Sequence, residues 1–213
     1  MRNAALLLIM LGAVLAFGCK ESKKSNGGVK TKTFYAVADT DVDEEFPYDN
    51  YGSSPTCILG VWNTYNTEVL LKWDLSSIPP DAEILQVKLV LDLVEVSNNV
   101  GTQFMFEVYR VLEDWSESAV TWNTRPTIAT SPLACFSGPS GLGQFSVDLT
   151  QSQDFLSMVE DWIKNPQQNF GINIAPAWAG VAGQDDYMEF YSKEGGSAPA
   201  LIIKYRLSGQ RTQ

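Results

Sequence analysis

Leu85, Val87, Leu89, Leu91 and Leu93 alternate with Gln86, Lys88 and Asp92, so one face of this segment is aliphatic and the other largely polar. A β-strand turns successive side chains to opposite faces, and a half-buried strand is what this period of two describes. The alternation returns in Val69, Leu71 and Trp73, in Phe104, Phe106 and Val108, and in Leu201, Ile203, Tyr205 and Leu207. Turn-forming residues separate the runs: Ile78-Pro79-Pro80-Asp81, Asn98-Asn99-Val100-Gly101 and the glycine-rich stretch over residues 137–143. Many short strands between turns predict an all-β sandwich or barrel.

One segment departs from this period. Phe155, Met158, Val159 and Trp162 stand at i, i+3, i+4 and i+7, which predicts a short amphipathic helix. Thr150 with Gln153 fits a capping box at its start, and Asn165-Pro166 stops it.

Composition narrows the function. The chain of 213 residues is long enough for one sizeable domain, and 45% apolar against 19% charged residues is a globular balance. A formal net charge of −10 repels phosphate backbones and anionic head groups, so nucleic acid is not an expected partner. The same charge disfavours a polyanionic glycan unless cations bridge the two. Histidine is absent, which removes the commonest general base, the Ser-His-Asp and Cys-His schemes and most zinc sites. Carboxylate chemistry remains, yet no paired-acid motif for glycoside hydrolysis stands out, so the chain is read as a binder and not an enzyme.

The first residues read as an export signal over 1–18: Arg2, then an apolar run from Ala4 to Phe17 that is too short for a mature membrane span. Ala16-Phe17-Gly18-Cys19 is similar to a bacterial lipobox, so Cys19 is the expected lipidation site and plain secretion the alternative. Lipidation would leave an even pair, Cys57 and Cys135, to form a disulfide; two buried free thiols are the other reading. Residues 19–32 read as a flexible tether, 33–207 as the folded domain and 208–213 as a tail. The expected location is therefore extracellular, at a cell surface, with membrane contact through the lipid alone.

Several motifs in order resemble a known family. Asn50-Tyr51-Gly52-Ser53 is followed by Leu71-Lys72-Trp73-Asp74-Leu75-Ser76-Ser77-Ile78-Pro79, then by Val108-Tyr109-Arg110-Val111 and Asp114-Trp115-Ser116-Glu117. Val120-Thr121-Trp122-Asn123 with Pro126, Asp148-Leu149-Thr150, Asn169-Phe170-Gly171 and Phe190-Tyr191-Ser192-Lys193-Glu194 complete the series. Together they resemble the DNRLRE domain, or family-96 carbohydrate-binding module, across nearly all of residues 33–206. The resemblance implies a jelly-roll-like β-sandwich that binds a polysaccharide or other glycan, with acidic polysaccharides such as alginate among the family's ligands. The acidity of this chain argues against alginate here. DNRLRE-type domains also resemble building blocks of surface proteins, so a structural or adhesin-type protein contacting protein partners is the alternative function.

Among the tryptophans, Trp73 and Trp162 fall on apolar faces and read as core, and Trp115 and Trp122 as pins that hold a loop down. Trp62, with Tyr65 nearby, and Trp178 lie instead near Gly, Asn or Pro. An exposed indole offers a flat face for the C–H surface of a sugar ring, so Trp62, Tyr65 and Trp178 are the expected ligand-binding residues; burial at a sandwich end is the alternative. Asp39, Asp41 and Asp43 alternate on one strand face and form a hard-oxygen group fit for a structural calcium ion, with a solvated acidic edge as the other reading.

Overall fold

The computed structural model describes residues 28–97, 104–177 and 185–207. Residues 1–18, Cys19, most of the tether, Trp178 and the tail lie outside the described residues. Ten strands are described: β1 Val29–Asp43, β2 Thr56–Trp62, β3 Tyr65–Trp73, β4 Glu83–Val96, β5 Met105–Arg110, β6 Ala134–Ser137, β7 Gly143–Asp148, β8 Ile172–Pro176, β9 Asp186–Tyr191 and β10 Ala200–Arg206. The helix α1 spans Gln153–Lys164. An all-β architecture with one short helix is thus the fold.

The strands run in the order β1-β10-β4-β9-β2-β3-β8-β5-β6, with β7 on the other side of β4. β1 closes the circuit. Its first half pairs with β10 and its second half with β3, the crossing marked by a bulge between Ala36 and Ala38. β4 likewise pairs with β10 along its first half and β9 at its end. Two long strands that change partner join the layers into a sandwich closed like a barrel, which removes exposed sheet edges along those sides.

The alternating residues fill one large core. Val69, Leu71, Trp73, Val87, Leu89, Leu91, Phe104, Phe106, Leu201 and Ile203 are all buried in it. Leu85 is the exception. A bulge places Lys204 opposite Gln86 but Tyr205 opposite Ile84, so Ile84 takes the inward position and Leu85 is displaced. Phe155, Met158, Val159, Trp162 and Ile163 of α1 join the same core. The helix is capped by Ser152, whose hydroxyl accepts from the Phe155 N–H at 3.1 Å. Thr150, the expected cap, is engaged elsewhere: its hydroxyl accepts from the Val87 N–H on β4 at 3.2 Å.

Two further expectations are corrected. β1 begins at Val29, inside the segment read as tether, and Val29 to Lys32 pair with β10. Both of its faces are exposed there, so no apolar alternation marks it. The disulfide is not formed: Cys57 is buried in the core, Cys135 is exposed, and both are free. Phe136 takes the inward position on β6, so its neighbour Cys135 turns outward, and β3, β8 and β5 stand between the two cysteine strands.

A second, smaller core lies on the outer face of β1 and β3. Val42, Leu70, Val111 and Val120 form it, with Trp115 and Trp122 packed against them. The Trp115 indole N–H donates to the Phe170 carbonyl at 2.8 Å, which pins the long loop after β5 onto the sheet.

Candidate functional site

The β2–β3 hairpin turns through Asn63 and Thr64, with Asn63 at φ 57°, a left-handed value asparagine tolerates better than most residues. Trp62 and Tyr65 are the last cross-strand pair before this turn. Val61 is inward and fully buried, so Trp62 projects from the opposite face and stays 47% exposed, with Tyr65 at 38%. The Trp62 ring lies 5.2 Å from that of Tyr187 on the neighbouring β9, tilted by 35°. The Tyr187 hydroxyl donates to Glu95 at 2.5 Å, and the Asn63 N–H donates to Asp185 at 3.1 Å. That bond to Glu95, with burial, pushes the Tyr187 hydroxyl up to about 12, so it stays a donor at neutral pH. The hairpin tip is therefore held at two points and presents a fixed aromatic surface.

The structure brings Trp62 and Tyr65 together and adds Tyr187, which the sequence reading missed. Tyr187 sits in an ordinary strand, and only the β2–β9 register places it beside Trp62. Trp178 lies outside the described residues.

The acidic residues are arranged differently from expectation. Beyond the bulge in β1, Asp39 pairs with Leu71 and Asp41 with Val69, both core positions. Asp39 and Asp41 are consequently 1% and 5% exposed, which overturns the solvated-edge reading. Asp43 is spent on the Glu45 N–H at 2.8 Å. Carboxylate oxygens of Asp39, Glu117 and Glu194 come within 4.8 Å of one another, a grouping that includes neither Asp41 nor Asp43. Lys193 sits among them. Its ammonium pairs with Glu117 at 2.9 Å and with Glu194, while its N–H donates to Asp39 at 3.0 Å. Glu117 also accepts from the Asp39 N–H at 2.7 Å, and Asn50 donates to the Glu117 and Val120 carbonyls at 2.8 and 2.7 Å. Motifs far apart in the chain thus meet in one knot, with the Lys193 ammonium among its carboxylates.

Burial pushes the Asp39 carboxyl up to about 6 despite the Lys193 N–H, with Glu194 and Glu117 adding to the rise. Burial likewise raises Asp41 to about 7, aided by Asp43 and Glu189. Both values lie above that of an unfolded aspartate, so the folded state binds protons more tightly. The stability these groups contribute is full below about pH 4 and is lost as pH rises through about 6 to 7. The domain should therefore melt several degrees higher at pH 5 than at pH 8, a difference of roughly 2–4 kcal/mol. Asp41→Asn should flatten that slope. Calorimetry showing a melting temperature that rises from pH 5 to pH 8 would refute the assignment.

The all-β fold thus presents a partly exposed aromatic surface at the tip of the β2–β3 hairpin. The match to carbohydrate-binding module family 96 spans residues 30–205, and the chain belongs to that family. No curated protein matches the chain. Members of such a family are binding modules, which makes a sugar or glycan the class of partner.

Proposed function

We propose that the chain is a non-catalytic, extracellular glycan-binding module that engages its polysaccharide at the Trp62–Tyr65–Tyr187 surface. The observation that carries this reading is the half-exposed Trp62 at a hairpin tip, held from beneath by Tyr187, while Trp73 and Trp162 are fully buried. A rigid, partly exposed indole loses little conformational freedom on stacking against a sugar, and its polar edge stays wet. Net charge selects among glycans: a chain of net charge −10 is repelled by uronate-rich chains, so the ligand is a neutral polysaccharide. Export under the leader at residues 1–18 and lipid attachment at Cys19 would present the module at a cell surface. Family membership and the absence of histidine support binding without catalysis.

Replacing Trp62 with alanine should weaken glycan affinity at least tenfold, about 1.4 kcal/mol, with little change in melting temperature. Calorimetric titration measures the first and thermal denaturation the second. Unchanged affinity would remove Trp62 from the site, and a large fall in melting temperature would assign it to the fold.

A further inference from the structure

We propose that the cleft between the outer face of β3 and β8 and the pinned loop after β5 is a second saccharide site, one that reads the hydroxyls of a neutral sugar ring. It extends the glycan reading to a surface separate from Trp62. Glu68, Leu70 and Asn173 line the cleft from the sheet, and Trp122, Asn123 and Arg125 from the loop. Its volume is about 510 Å³, within the range of roughly 300–1,000 Å³ usual for small-molecule sites.

The chemistry of the sheet side is specific. Leu70 pairs with Asn173, so the two side chains stand on the same outer face, away from the main core. Asn173 is 1% exposed, and its amide NH₂ donates to Glu68 at 2.9 Å. That leaves the Asn173 Oδ1 buried with no donor, an unfavourable state that an incoming donor would relieve. Glu68 is an acceptor-only group when ionised, so the sheet side of the cleft asks for hydroxyl donors.

The loop side supplies the complement. The Arg125 guanidinium lies 3.7 Å from the Trp122 ring centroid, and it donates to the Trp122 carbonyl at 2.7 Å. Stacking and that bond fix the guanidinium in place, and its remaining N–H groups are donors for a sugar oxygen. Burial pushes the Glu68 carboxyl up, while the Asn173 amide and the Arg125 cation pull it back toward the ionised form. One carboxylate and one guanidinium leave the cleft near neutrality, so it favours neither a uronate nor an ammonium sugar. A ring hydroxyl both donates and accepts, which matches acceptors on one wall and a donor on the other.

Titrating the isotopically labelled chain with methyl glycosides of neutral hexoses, followed by NMR, tests this directly. Saturable shifts of the Trp122 indole and Asn173 amide resonances are expected, with affinity at least tenfold weaker in Arg125→Ala and in the isosteric Glu68→Gln. Arg125 is exposed, so its alanine variant keeps the test readable if changes at Glu68 disturb folding. Shifts confined to Trp62 and Tyr65 would overturn the cleft and leave the Trp62 surface standing. Shifts at the cleft with an amino sugar alone, no saturable shift at the cleft, or full affinity in Arg125→Ala would overturn it as well.

Discussion

Gly171→Ala should cost about 3–5 kcal/mol, enough to leave little of a typical domain's stability. Gly171 has φ +86°, and a Cβ there would stand 2.1 Å from the Leu71 carbonyl oxygen and 3.0 Å from its carbon. Those atoms are backbone in the middle of the sheet, so they cannot move aside as a flexible side chain would. The position also bears on the sheet side of the proposed cleft. The Gly171 carbonyl accepts from Val111 at 3.1 Å, and the next residue, Ile172, opens the pairing of β8 with β3. Gly143 provides an internal comparison: its φ is also +86°, but nothing lies within 4 Å of its would-be Cβ. Gly143→Ala should therefore cost only the strain of a left-handed residue, about 1 kcal/mol. Urea denaturation of the two variants measures the difference, and equal losses would show that close packing at Gly171 contributes nothing.

Glu117→Ala should cost about 2–4 kcal/mol, whereas Glu117→Gln should stay within about 1 kcal/mol of the parent. The ion pair with Lys193 is not the main reason, since both side chains are about a quarter exposed and such pairs contribute little. The larger loss comes from the Asp39 N–H, which donates to Glu117 in a segment where Asp39 itself is 1% exposed. Alanine orphans that donor and glutamine keeps an acceptor for it. Glutamine also relieves part of the repulsion among Asp39, Glu117 and Glu194. Thermal melts that rank the two variants equally would show that charge, not the hydrogen bond, holds the knot together.

The large core was legible because burial on one face imposes a period of two: Val87, Leu89 and Leu91 of β4 are inward where the alternation puts them. What the pattern could not carry were its interruptions. The bulge at Leu85 exchanges it for Ile84, and the bulge after Ala36 turns Asp39 and Asp41 toward the core, because one extra residue reverses every side chain beyond it. Val29 to Lys32 were hidden for a different reason: strand pairing with β10 holds them while both faces meet solvent. At the proposed binding surface, Trp62 and Tyr65 were legible as aromatics beside a turn. Tyr187 was not, since its place depends on which strand lies next to β2. Asn173 and Glu68 belong to the same class: each is unremarkable alone, and only the β3–β8 register and the loop above them make a cleft. The cysteines show the limit of counting, because parity says nothing about the direction in which Cys135 points.

Whether this domain holds a neutral glycan through its exposed aromatic surface is tested most directly by affinity electrophoresis. The native chain and Trp62→Ala would be run through gels containing a panel of neutral and acidic polysaccharides. The expected result is retardation of the native chain by at least one neutral polysaccharide, free migration in the acidic gels, and loss of the retardation in the variant. Unretarded migration of the native chain in every gel, or retardation that Trp62→Ala retains in full, would contradict it.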